Sequence, residues 1–134
     1  GNQVGGGKQM KPEELKYTAD HLWVAVEGET ARIGITDYAQ KQMEEVVFVE
    51  FLEVGKKFVQ GKIFGRVESV KSVADLTAPV SGAVLELNKA VSDSPAAVNE
   101  DPQGAGWLAR VRLEKPEELK ALLSYDAYQQ SLKE

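Results

Sequence analysis

Lys71 is the residue of this chain best placed to do chemistry, and that chemistry is acylation of its amine. It stands in Val67-Glu68-Ser69-Val70-Lys71-Ser72-Val73-Ala74-Asp75, followed at once by Leu76-Thr77-Ala78-Pro79-Val80-Ser81-Gly82. Short strand-like runs flank Val70-Lys71-Ser72, so the pattern predicts a hairpin with the lysine at its tip. An enzyme that acylates one of 12 lysines cannot choose it by local sequence, because most of the others lie in polar surface runs. Presentation in a rigid, narrow turn solves the selection problem. Once amidated, the side chain loses its charge and becomes the root of a long flexible arm, which brings a reactive group to several active sites at high effective concentration. The plainer reading is a solvated lysine in a turn. Against it stands the joint occurrence of Glu68, Lys71, Asp75 and Ala78-Pro79-Val80-Ser81-Gly82 at fixed spacing between two strands.

Few other catalytic devices are available. Cysteine is absent and His21 is the single histidine, which excludes disulfides, thiolate nucleophiles and a His/Cys metal cluster. No Gly-x-Ser-x-Gly elbow accompanies His21, which is expected to be a structural or surface residue. No catalytic and no metal-binding residue is therefore expected. The 16 basic against 21 acidic side chains give a net charge of −5, which repels a phosphate backbone, so nucleic acid is not an expected partner. No apolar run approaches the roughly 18 residues that cross a bilayer, and no signal-peptide stretch occurs. The expectation is a soluble protein without a membrane partner, in a bacterial cytoplasm or an organelle matrix.

The elements that must hold the tip are mostly short strands. With 134 residues, 43% of them apolar, the chain suits one compact domain over residues 11–134. Residues 1–10 are expected to form a flexible tail, with Gly1 to Gly7 a remnant of cloning ahead of Met10. Period-two patterns predict strands at Leu22–Val26, Ala31–Ile35, Val46–Val54, Ile63–Val70, Ala83–Leu87 and Trp107–Leu113, six or seven in a mostly antiparallel structure. Val54 to Gly61 leads into one arm of the hairpin and the other arm leads into Ala78 to Val84, a weak duplication about the tip. Thr36 or Asp37 can cap a short helix through Met43. Asp93 or Ser94 can cap another, with Pro95 at its first position and Val98 facing inward. Pro116, Leu119, Leu122 and Leu123, then a segment capped near Ser124 that carries Tyr128, predict a C-terminal helical cover.

Taken together, these residues resemble the glycine cleavage system H-protein family over residues 16–132. The resemblance is carried by Lys16-Tyr17, His21, Trp23, Ile33 to Gln40, Val46 to Glu50, Glu53-Val54-Gly55, Val67 to Lys71, Ala78 to Gly82, Val98 to Pro102 and Gly106-Trp107-Leu108. It implies a mainly β barrel-sandwich hybrid, the lipoyl-domain fold, and lipoate covalently attached to Lys71. It implies that Glu68 and Gly55 lie where lipoate ligase or lipoyltransferase reads the domain. A biotinyl carrier of the same fold has methionines beside its lysine, whereas Val70 and Ser72 stand here. The family implies a non-catalytic carrier that moves an aminomethyl group and reducing equivalents among glycine decarboxylase, aminomethyltransferase and dihydrolipoyl dehydrogenase. A monomer is expected, because the tip must meet several partners.

By the same resemblance, the cleft that receives the arm falls at Asp20, Leu22, Gln42 and Asp75. Here the chain departs from the family. Leu22 replaces a glutamate, Gln42 stands where plant-type members have histidine, Met43-Glu44-Glu45 replaces a Leu-Gly-acid turn, and Phe51-Leu52-Glu53 replaces Leu-Pro-Glu. Asp75 can accept from a cationic amine or serve as a turn residue. The lost glutamate opens an alternative cargo, in which the lipoyl arm carries sulfur intermediates to a heterodisulfide-reductase-like complex of sulfur oxidation. An unlipoylated scaffold is the third reading.

Overall fold

A computed structural model describes residues 10–133, and the expected tail lies outside the described residues but for Met10. Nine strands run through them: β1 (Lys16–Tyr17), β2 (Leu22–Glu27), β3 (Thr30–Ile35), β4 (Val46–Phe51), β5 (Lys57–Phe58), β6 (Ile63–Ser69), β7 (Val73–Thr77), β8 (Gly82–Leu87) and β9 (Ala109–Leu113). A six-stranded sheet has the order β1-β2-β3-β9-β8-β5, and a three-stranded sheet the order β4-β6-β7. Every pairing is antiparallel. This is the barrel-sandwich arrangement, mainly β, with short helices.

The inward side chains of both sheets meet in one apolar cluster that includes Ile33, Phe64, Val67, Leu76, Val84 and Val111, none more than 5% exposed. Removing that surface from water supplies the main force holding the small sheet against the large one. A second cluster is aromatic and lies outside it: Tyr17, Trp23, Trp107 and Tyr128 pack with Leu15 and Ala25. The Tyr17 and Tyr128 rings stack at 4.7 Å. Close approach of strands sets one glycine: a side chain at Gly82 would collide with the Arg112 carbonyl on the neighbouring strand.

Several boundaries differ from the sequence expectation. β1 and β5 are two residues long, too short to leave an alternating signal. The β4 strand ends at Phe51 rather than Val54, because the chain turns at Gly55, whose φ of +93° suits glycine. As expected, Thr36 caps α1 (Asp37–Met43), its side chain accepting from the Ala39 N–H. One helix was not expected: Asn88 caps α2 (Lys89–Asp93), whose end Ser94 closes, and its buried amide also donates to the Ala105 and Trp107 carbonyls. The helix expected from Pro95 is α3 (Ala97–Glu100), which has no side-chain cap from Asp93 or Ser94. Val98 does face inward.

The C-terminal cover begins as a 3-10 turn at Pro116–Ala121, then continues as α4 (Tyr125–Ser131) capped by Ser124. Glu118 anchors the first part. Its carboxylate accepts from both the N–H and the hydroxyl of Ser81, at 2.6 and 2.8 Å, and so pins the cover to the turn before β8. Among the described residues no helix is long and apolar enough to cross a membrane.

Candidate functional site: the lysine hairpin

The β6–β7 hairpin places Lys71 at its tip, with register pairs Glu68↔Val73, Val67↔Ala74 and Arg66↔Asp75. Serines build the turn. The Ser69 N–H donates to the Ser72 carbonyl at 2.8 Å, and the Ser69 hydroxyl accepts from the Ser72 and Lys71 N–H groups at 3.1 and 3.3 Å. Such hydroxyl-to-backbone bonds close a tight turn without glycine. The tip is also tied sideways, because the Val70 N–H donates to the Glu45 carbonyl at 2.9 Å. β5 and β8, which lead into and out of the hairpin, pair with each other at Lys57↔Ala83 and Phe58↔Gly82.

The Lys71 amine is half exposed and lies 3.3 Å from the Glu44 carboxylate. An amine so placed fits covalent attachment of an acyl group, since nothing buries the nitrogen and a narrow turn offers it to a second protein. Glu68 sits on the outer face of the small sheet, between Phe48 on β4 and Val73 on β7. Phe48, Val70 and Val73 are all about half exposed or more, at 49%, 60% and 60%. The lysine therefore rises from an apolar surface with a carboxylate in it. Gly55 is exposed in the turn after β4, its N–H donating to the Val84 carbonyl at 2.8 Å.

The four residues expected to form the arm's cleft do not share one environment. Leu22 is 1% exposed and packs in the main core, so it lines no surface cleft. The correction has a simple cause: on β2 the apolar side chain is drawn inward by the hydrophobic effect, wherever a glutamate at that position would point. Gln42 is exposed on α1. Asp20 lines a surface cavity of about 240 Å³ with Tyr17, Gln60, Pro79 and Leu122. Asp75 lines a different one, of about 260 Å³, with Phe51, Ile63 and Phe64. There Asp75 already has a cation: Arg66 Nε lies 3.3 Å from its carboxylate, and Arg66 Nη1 lies 3.9 Å from Glu50.

His21 has a structural post. Its Nδ1 lies 2.8 Å from the Tyr128 hydroxyl, which lies 2.7 Å from the Thr36 hydroxyl. The chain of contacts joins α4 to β2 and to the cap of α1. Burial holds the imidazole below its ordinary value of 6.5, with Asp20 pulling the other way.

Sequence reasoning passed over two residues that shape this site. Glu44 was visible as part of an altered turn, but nothing in its type announces its positive φ of 65°. Asn99, within the run Val98 to Pro102, donates to the Glu44 carbonyl at 2.6 Å and accepts from the Val46 N–H at 2.9 Å.

Comparison with known proteins gives a consistent result. The family model described as Glycine cleavage H-protein matches residues 15–134. The glycine cleavage system H protein of Rubrobacter xylanophilus is 51% identical over 124 residues, covering 92% of this chain and 95% of its own. That of Staphylococcus carnosus is 48% identical over 123 residues, covering 92% and 98%. Among solved structures, a glycine cleavage system H protein from Mycobacterium marinum superposes with a TM-score of 0.81 at 37% identity, covering 92% of this chain and 100% of that one.

Proposed function

The chain belongs to the glycine cleavage H-protein family, and from that premise we propose that Lys71 is its lipoyl-lysine, through which it acts as the mobile carrier of glycine cleavage. It is a component of a multienzyme system and not itself a catalyst. The observation that carries the assignment is the half-exposed Lys71 amine at the tip of a hairpin fastened at Ser69, Ser72 and Glu45. When bound, the dithiolane supplies the chemistry, carriage of a one-carbon amine and of reducing equivalents between separate enzymes. The chain's own residues present and position. Ser69 and Ser72 hold the root of the arm, Glu68 with Gly55 forms the surface that lipoate ligase or lipoyltransferase reads, and Phe48, Val70 and Val73 give docking partners an apolar footing.

The partners on this reading are glycine decarboxylase, aminomethyltransferase and dihydrolipoyl dehydrogenase, in a bacterial cytoplasm. A single carrier domain spans residues 11–134. The names of the relatives favour glycine cleavage, and carriage of sulfur intermediates has no comparable support. Intact-mass analysis of protein from a lipoate-competent host tests the assignment. One lipoyl addition is expected, mapping to the peptide that contains Lys71 and absent from Lys71→Arg. An unmodified Lys71 in the presence of saturating ligase and lipoate would overturn it.

A further inference from the structure

Glu44 is held in a backbone conformation that suits glycine, with φ 65° and ψ −143° at the end of α1. Strain of this kind persists only where the surroundings over-determine it, and it gathers where a side chain has a task. The surroundings here are specific. The Glu44 N–H donates to the Gln40 carbonyl at 2.9 Å, the Glu44 carbonyl accepts from Asn99 Nδ2 at 2.6 Å, and Asn99 fixes the far side of the turn through Val46. Gln40 and Asn99 are themselves joined at 3.0 Å. The next residue, Glu45, receives the Val70 N–H. The result is that the Glu44 carboxylate lies 3.3 Å from Lys71 Nζ, and neither group makes another ion pair among the described residues.

We infer that Glu44 is a charge latch on the acceptor lysine, docking the unmodified ammonium on the turn between α1 and β4 and releasing it on amidation. The inference rests on Lys71 being the modified residue. Acylation by an activated acyl donor, an acyl adenylate or a thioester, forms a bond from Nζ to the carbonyl carbon and breaks the bond from that carbon to its activating group. The nitrogen gives up two protons, one before attack and one after. The product is a neutral amide, and the attraction that held the ammonium is gone. A modifying enzyme thus meets a lysine parked at a fixed place. The enzymes that use the arm meet one freed at its root, with a carboxylate uncovered beside it. The latch is exposed, and its strength is correspondingly small, which suits a device that must open.

The test uses the full chain in four forms: unmodified, with Nε-acetyl-lysine at position 71, as Glu44→Gln, and with both changes. Acetyl-lysine supplies the neutral amide without any lipoate chemistry. Relaxation of the Lys71 Cε group should show a docked side chain in the unmodified protein and a mobile one in Glu44→Gln. Amide exchange at Val70 should rise about 1.5- to 5-fold with either change, the range an exposed ion pair supports, and no further with both. Salt at roughly 0.5 M should move the unmodified protein towards Glu44→Gln. A Lys71 side chain equally mobile with and without the Glu44 carboxylate, or changes that add in the double form, would overturn the latch. Failure of lipoylation would instead remove the lipoyl assignment and leave these four results unaffected.

Discussion

A single substitution shows how much the meaning of a residue depends on where its side chain points. By the family resemblance Leu22 takes the place of a glutamate, and in sequence it suggests a cleft altered for a different cargo. In the fold it is a core residue, 1% exposed, paired through its backbone with Ile35. Leu22→Glu would therefore put a carboxylate into the apolar core cluster. A buried charge of this kind costs on the order of 3 kcal/mol or more, so the thermal midpoint should fall by roughly 10 °C. An unchanged midpoint would show that the side chain reaches solvent after all. Asp75 carries the same lesson from the other side, because its carboxylate already faces Arg66. The carboxylate that does approach Lys71 is Glu44. Spacing gave no notice of it, since 27 residues separate it from Lys71 in the chain.

At the scale of elements, the turn from α1 to β4 carries a positive φ at Glu44, the residue that meets Lys71. Glu44→Gly should relieve a backbone cost of about 1–3 kcal/mol. It also forfeits an exposed ion pair and enlarges the freedom of the unfolded chain by up to about 1 kcal/mol. A net gain near 1 kcal/mol is expected, read as a higher denaturant midpoint at unchanged slope; a loss of stability would show that the strain is smaller than the ion-pair and entropy costs together. The hairpin itself was legible from the run around Lys71, but the strand expected over Ile63–Val70 reaches one residue into the tip, and Val73–Thr77 carries too little alternation to mark β7 as a strand. The helix expected from Pro95 is α3, though neither Asp93 nor Ser94 caps it, and the five-residue α2 before it was not read from the sequence. Only the fold gives the Asn88 amide its waiting carbonyls. The C-terminal leucines signalled an α-helix, but the grip of Glu118 on Ser81 accompanies a tighter 3-10 turn.

Across the whole molecule, the two sheets and their shared core follow from patterning, whereas the seams between segments distant in sequence do not. The link of His21 to Tyr128 spans 107 residues and fastens the C-terminal helix to the larger sheet. It also gives stability a dependence on pH. Burial depresses the imidazole below 6.5 in the folded chain, so the unfolded chain binds the proton more readily. The stabilisation is then complete above pH 6.5 and is lost as pH falls below it. His21→Asn, which tolerates the positive φ of 72° at this position, should flatten the fall in stability between pH 7 and pH 5. Chemical denaturation at the two values measures it, and an equal slope in both proteins would exclude His21 as the source.

The aromatic cluster has a practical consequence for watching this protein work. Both tryptophans, Trp23 and Trp107, lie in it with Tyr17 and Tyr128, and the three-stranded sheet that bears Lys71 contains neither tryptophan nor tyrosine. Intrinsic fluorescence therefore reports on the seam between the larger sheet and α4, and is silent at the Lys71 hairpin. An emission signal that stays constant during acylation or partner binding says nothing about whether either has happened. Phe48, exposed in the row that contains Glu68, is the position at which a tryptophan would give the lysine a light of its own.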